Sequence, residues 1–402
     1  MKISTRALTL PVSSIRILMP YALEAGKKGR TIYRLNIGEP DLSPPQEVID
    51  ALHNLNVTNV PYADSQGDPE FISALVEYYK KIGFGMVKTE NILITQGSSE
   101  GLTYCMWAVA NPGDEIIVFE PYFVNYSLYS HIGGVKIKAV STEINNDFHL
   151  PNKAEIIKAI TPKTRAILYT NPNNPTGTVY TKQEVEMLIE IAEEYNLYLI
   201  ADEVYRELNF TDRKHVSILD YFERIKDRLI LSDSLSKRYC LCGARLGCLV
   251  VFNPELFQSL YKLTTSRLSA GFIEQKICSV LGKISPKYSV KLTKEFKKRR
   301  DICEQILGKM YGVTIASPEG AFYIMAKLPI KNAMDFATWL LTDFSDKNET
   351  VLITPASGFY LTKGRGEDEI RIAYVLEEKK LRRALELIQT GLEQYKKTRS
   401  PI

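Results

Sequence analysis

The sequence predicts an α/β protein: a large domain on a mixed, mostly parallel seven-stranded sheet, with a smaller α+β domain built from both chain ends. Three observations predict it. At 402 residues the chain exceeds what a single compact core holds. From about residue 70 to 250, helix-patterned and strand-patterned segments alternate, as crossover helices on an α/β sheet require. The C-terminal third instead carries a long charged helix, short strands and a final helix. The resulting division is 1–48 for the N-terminal segment and part of the small domain, 49–285 for the large domain and 286–402 for the small C-terminal domain.

In chain order, "EFISALVEYYKKIG" reads as an amphipathic helix. Short apolar runs of strand type come next: "NILIT" (91–95), "EIIVFE" (115–120), "VKIKAVS" (135–141), "RAILYT" (165–170), "LYLIADE" (197–203), "LILSDS" (229–234) and "LGCLVVF" (246–252). Helical stretches such as "KQEVEMLIEIAEEY" lie between several of them. Gly97, Tyr122, Asn174, Asp202 and Ser234 fall at the carboxyl ends of strands, the edge at which open α/β sheets bind ligands. Further on, "KLTKEFKKRRDICEQILGKMY" and "KKLRRALELIQTGLEQYKK" read as helices, with "GAFYIMAKL" and "EIRIAYV" as strands.

Composition narrows the function classes. Hydrophobic residues at 45% and charged residues at 24% match a globular chain and exclude a disordered or fibrous one. A net charge of +4 from 51 basic and 47 acidic residues, with no basic arm, argues against nucleic acid as a partner. The six cysteines show no disulfide-framework spacing, and Cys240-x-Cys242 lacks the second pair of a zinc site, so reduced thiols and no metal are expected. The N-terminal stretch carries charges and prolines where a signal peptide needs an apolar run, and no segment reaches the roughly 18 apolar residues of a membrane span. A cytoplasmic protein is expected.

The chemistry concentrates in "SDSLSKRYCLCGARLG" (232–247). A lysine after Ser-Leu-Ser is by itself compatible with a solvated loop. Here Ser234, Ser236 and Arg245 flank Lys237, and hydroxyls with a planar guanidinium are what a phosphate dianion needs. A desolvated lysine beside such cations loses its proton and becomes a nucleophile toward carbonyls. An aldehyde that carries a phosphate meets both conditions.

In these residues the chain resembles the fold-type I pyridoxal-phosphate enzymes, and most closely the class I/II aminotransferases of the aspartate aminotransferase type. The Ser-x-Ser-Lys and Gly-x-Arg-x-Gly motifs of that family correspond to "SLSK" and "GARLG". The resemblance implies pyridoxal 5'-phosphate as cofactor, held covalently by Lys237, with Ser234, Ser236 and Arg245 at its phosphate. It implies that Lys237 then shuttles the substrate proton. Asp202 and Tyr205 in "LYLIADEVY" match the family's Asp-x-x-Tyr, Asp202 facing the ring nitrogen and Tyr205 the phenolic oxygen. Asn174 in "NPNNPTG" would serve that oxygen and the substrate carboxylate. Ser98 and Ser99, in "ITQGSSEGL", would turn helix N-terminal amides toward the phosphate.

Phe123 in "EPYFVNY" stands where relatives stack an aromatic on the ring, although aromatics are more often core than platform. Tyr62 in "VPYADSQGDPEF" matches a tyrosine that reaches the neighbouring subunit's phosphate, so a homodimer is implied. Phe71-Ile72 replaces the family's usual Leu-Arg. Gly38 in "LNIGEPDLSPP" and Arg371 in "EIRIAYV" match the family's binders of the substrate α-carboxylate.

Asn174 with Arg371 would leave the Cα proton as the bond to break, which favours transamination between an amino acid and a 2-oxo acid. A β-lyase or lyase-like synthase on the same fold is the alternative reading. Arg267, near where one branch of the family places an arginine from the partner subunit, and Arg16, in the N-terminal segment that closes over the substrate in the family, are candidate cations for a distal carboxylate, each also readable as a surface charge. Aspartate with 2-oxoglutarate is the substrate pair expected on that basis. Some relatives serve as effector-binding parts of transcription regulators, and the stretch ahead of Leu35 is short for the helix-turn-helix module those carry.

Overall fold

The computed structural model describes residues 1–399, and the expected small-domain limit at residue 402 lies outside the described residues. Among them are thirteen strands. β1 is Thr31–Arg34; β2 to β8 are Ile92–Thr95, Glu115–Glu120, Lys136–Ser141, Thr164–Thr170, Tyr198–Asp202, Leu229–Ser234 and Gly247–Val251; β9 to β13 are Thr314–Ile315, Tyr323–Lys327, Glu349–Leu352, Thr354–Pro355 and Glu369–Ala373.

All seven apolar runs read from the sequence form the large sheet, in the order β2-β8-β7-β6-β5-β3-β4. Helices cover both of its faces, so β2, β7 and β8 are buried along their whole length and need apolar residues without alternation. Pairing is parallel from β7 through to β4, whereas β8 runs antiparallel to both β2 and β7. The flanking helices start where local chemistry dictates. Helix Pro69–Lys81 opens on Pro69, with Asp68 accepting from the amides of Glu70 and Phe71. Helix Lys182–Glu194 opens on a reciprocal capping box of Thr181 and Glu184.

The smaller domain joins a four-stranded antiparallel sheet, β12-β13-β10-β9, to a parallel pair made by β1 and β11. That pair brings the N-terminal segment into the C-terminal domain. Leu18, Ala22 and Leu35 share a core with Phe336, Leu340 and Ile388, and helices Pro286–Leu307 and Glu378–Arg399 close it. The same core includes Val204, Tyr205 and Leu208, just beyond β6. The end of β6 therefore sits where the two domains meet.

The six cysteines are unbonded; Cys105, Cys248, Cys278 and Cys303 are buried. No helix among the described residues is long and apolar enough to cross a membrane.

Candidate active site

β6 ends at Asp202 and β7 at Ser234, neighbours on the carboxyl edge of the sheet. β8 runs the other way, so it starts at that edge and Arg245, two residues ahead of it, arrives there too. The turn after β2 completes the corner with Gly97, at φ +71°, opening helix Gly97–Val109. A Cβ on Gly97 would lie 2.6 Å from Arg245 Nη2, and one on Gly247 would lie 2.9 Å from the Ser98 amide and 2.7 Å from the Asp233 carbonyl. Gly97 is favoured by its left-handed φ, and Gly247 by backbone atoms that leave no room for a Cβ. Ser234 Oγ accepts from the Ser236 amide (3.2 Å) and donates within a network to Ser236 Oγ and the Leu246 carbonyl, each at 3.0 Å. Ser98, Ser234, Ser236 and Arg245 thus gather donors at one end of a cavity of about 370 Å³.

Lys237, on the helical turn Leu235–Arg238, lines the cavity and donates from Nζ to the Gly38 carbonyl at 2.7 Å. Asp202 also lines the cavity and is buried. Its Oδ2 accepts from Tyr126 OH (2.7 Å), itself 2.6 Å from Thr170 Oγ1, while Oδ1 has no partner. Burial pushes its carboxyl from the usual 3.8 up to about 7, with the Tyr126 hydrogen bond pulling the other way. Tyr205 OH lies 2.9 Å from Tyr323 OH, and Phe123 meets the Tyr126 ring edge-on at 5.5 Å.

The third part comes from the small domain. Arg371 on β13 is 1% exposed and sandwiched between the rings of Tyr323 (4.5 Å) and Phe359 (5.0 Å). Nη1 donates to Asn174 Oδ1 at 3.1 Å and Nη2 to the Asn36 carbonyl at 2.5 Å, while Nε has no partner. Burial lowers its pKa below the ordinary arginine value, and no carboxylate offsets that loss. A buried cation without a counter-ion is costly and makes a ready receptor for an incoming carboxylate.

The cavity therefore gathers Gly38, Ser98, Ser99, Phe123, Asn174 and Asp202 with Tyr205, Ser234, Ser236, Lys237, Arg245 and Arg371, all expected from the sequence. Gly38 has a local reason beyond close approach: a Cβ there would collide with Tyr323 OH at 1.9 Å. Arg16 lines the cavity from the N-terminal segment. Two residues expected to act across a dimer, in the neighbouring subunit's site, do not line this chain's own cavity. Tyr62 is 81% exposed. Arg267 donates from Nε to Glu100 (3.1 Å) and from Nη2 to the Ile94 carbonyl (2.8 Å), and does not line the cavity. Its partner Glu100, not the cavity, takes its charge.

Sequence reasoning missed Tyr126 as the partner of Asp202, and Asn125, Leu128 and Tyr323 as lining residues. Asn125 and Leu128 stand three apart on helix Asn125–Gly133, a spacing that puts both on one face and would have flagged them.

The fold and site define an α/β protein with a cavity between the carboxyl edge of a seven-stranded sheet and a second, four-stranded sheet. Residues 30–388 match the family model described as aminotransferase class I and II. The chain is 31% identical to the aspartate aminotransferase of Pyrococcus horikoshii, over 97% of each chain. It is also 31% identical to that of Thermotoga maritima, over 97% of this chain and 99% of the relative. Among solved structures, the aspartate aminotransferase of Thermus thermophilus with maleate superposes with a TM-score of 0.87 at 27% identity, covering 97% of this chain and 100% of that one. The alanine aminotransferase of Pyrococcus furiosus gives 0.88 at 30% identity, covering 98% and 100%. The chain belongs to the class I and II aminotransferases, and it is an enzyme of amino-group transfer.

Proposed function

We propose that the protein uses pyridoxal 5'-phosphate, bound at Lys237, to move the α-amino group of aspartate to 2-oxoglutarate. The observation that carries the cofactor assignment is Asp202 Oδ1, a buried carboxylate oxygen with no partner, in the same cavity as an amine and a hydroxyl–guanidinium corner. A carboxyl held near 7 by burial becomes a carboxylate once a cationic ring nitrogen pairs with it, so the orphaned oxygen and the raised pKa call for the same partner.

When bound, the cofactor accepts the electron pair left by the broken Cα–H bond. The chain's residues do the rest. Ser98, Ser234, Ser236 and Arg245 would hold the phosphate, Asp202 would keep the ring nitrogen protonated, and Tyr205 and Asn174 would serve the phenolic oxygen. Arg371 takes the substrate carboxylate through its fork, next to Asn174. Phe123 is the aromatic available to cover the ring. Lys237 Nζ would take up the proton released at the substrate Cα and give it up again, so one amine would act as base and then as acid.

Arg16 supports a dicarboxylic substrate, because with Arg267 engaged by Glu100 it is the remaining candidate for the distal carboxylate. A homodimer, with Tyr62 reaching the partner's phosphate, is supported by an exposed apolar stretch around it: Leu52 is 54%, Val60 56% and Tyr62 81% exposed. A cytoplasmic setting goes with the free thiols.

The test is to mix the yellow purified protein with single amino acids, without a keto acid, and track the visible band. Aspartate and glutamate should bleach it at the lowest concentrations. Preference for alanine or aromatic amino acids would reject the dicarboxylate assignment, and release of pyruvate with ammonia would turn the reading to a β-lyase.

A further inference from the structure

Each central site residue has a chain neighbour that points away from the cavity into a buried ionic network. Asp202 is followed by Glu203, Tyr205 by Arg206 and Lys237 by Arg238, while Ser234 is preceded by Asp233. Glu203, with no exposed side-chain surface, accepts from Arg206 Nε (3.1 Å), Ser217 Oγ (3.0 Å) and the Ile218 amide (2.8 Å), and meets His215 Nε2 at 3.2 Å. Asp233 accepts from Tyr79 OH (2.8 Å) and from Arg238 Nη2 (2.5 Å), with Arg206 Nη2 at 3.6 Å. Arg238 also donates from Nε to Glu207 Oε2 at 3.1 Å and lies on the Tyr78 ring at 4.0 Å, and Tyr78 OH donates to Glu207.

Arg238 is the member with reach. Its side chain has no exposed surface and spans two segments: the end of β7, through Asp233, and the segment two residues past Tyr205, through Glu207. The turn that carries Lys237 is four residues long, far below the length at which a helix holds itself. Something outside it must fix its orientation. We propose that Arg238 is a positioning residue for Lys237: its fork rivets the lysine's turn to both segments, and so sets where Nζ stands relative to Asp202 and Tyr205. The inference rests on the assignment of Lys237 as the cofactor-bearing amine.

A planar fork bonds two carboxylates along fixed directions, which a lysine ammonium at the same position does not reproduce. Arg238→Lys, folded by circular dichroism and assayed per bound cofactor, is expected to lose roughly 10- to 100-fold in kcat, as for a misplacement near 1 Å. KM for the amino donor should stay within about twofold, because Arg371, the cation for the carboxylate, stands on β13 and not on the turn that carries Lys237. The visible band should shift, and cofactor should leave faster on dialysis. Glu207→Gln keeps the shape but removes one anchoring charge, so its losses should be in the same direction and smaller.

If Arg238→Lys does not fold, Glu207→Gln decides alone. A drop confined to the melting temperature, with kcat per bound cofactor, band position and dialysis rate all at wild-type values, overturns the proposal. Wild-type protein that takes up no pyridoxal phosphate overturns the functional assignment instead, and separates the two failures.

Discussion

Two sides of one sheet edge, a peptide bond apart, treat their polar atoms in opposite ways. On the cavity side Asp202 keeps one oxygen unpartnered and Arg371 lacks a counter-ion. Behind it Glu203 and Asp233 are surrounded by donors, and those donors hold both carboxyls below the usual range despite complete burial. The difference teaches how to tell readiness from support. The difference lies in charge pairing: Asp202 and Arg371 have no ion-pair partner, whereas Glu203 and Asp233 each meet a guanidinium, although Arg206 Nη2, Arg238 Nη1 and His215 Nδ1 of that network also lack a hydrogen bond. Substitutions in the cavity should therefore cost activity with little loss of stability, and those behind it should cost stability, with activity lost as well where a residue such as Arg238 holds the turn of a site residue.

The largest effect is expected at the cavity. Lys237→Ala should lower turnover by about 10⁴-fold, with the melting curve little changed, read from initial rates with aspartate and from calorimetry. On the supporting side, Asp233→Asn should cost about 3–5 kcal/mol in urea unfolding, because two buried guanidinium groups lose their shared charge. Since Asp233 has a depressed pKa, wild type should keep that advantage at neutral pH and lose it as pH falls below about 3.8.

Asp202→Asn should do the reverse. In cofactor-free protein it should stabilise by about 1–4 kcal/mol at pH 8, since it removes a carboxyl that burial disfavours ionising. With a folded pKa raised from 3.8 to about 7, wild type binds more protons than its unfolded chain across that window. The gain from Asn should therefore grow as pH rises from about 4 to about 7 and vanish below it, while activity falls. A destabilised Asn variant would break the comparison.

Arg371→Lys should raise KM for the amino donor by roughly 10- to 100-fold, the worth of one charge-assisted hydrogen bond, with a smaller change in kcat. The smallest effect calibrates a half-wet site. Glu184 raises the pKa of His149 at 3.0 Å, so His149→Asn should cost a few tenths of a kcal/mol at pH 6 and nothing at pH 9.

The seven strands of the large sheet were legible because strands buried on both faces must be written as unbroken apolar runs. The direction of β8 was not, since a buried run reads alike either way along the sheet. The cavity's own residues were legible through motifs whose chemistry is demanding: an amine beside hydroxyls, a carboxylate at a strand end. Arg267 shows the limit: spacing along the chain did not reveal that its guanidinium meets Glu100 and the Ile94 carbonyl within its own subunit. Arg238 shows another. It stood next to Lys237 in the sequence, but its partners Asp233 and Glu207 come together only through the fold.

The reversed β8 carries a lesson in construction. A sheet with every strand pointing one way delivers to its business edge only the residues just past each strand's end. Turning one strand round lets the residue ahead of it arrive at that edge as well, and Arg245 does so between the turns of β2 and β7. Anyone re-engineering this scaffold by permuting its order could reroute the connections, but flipping β8 to match its neighbours would carry that guanidinium to the far rim and leave the corner with hydroxyls and amides alone.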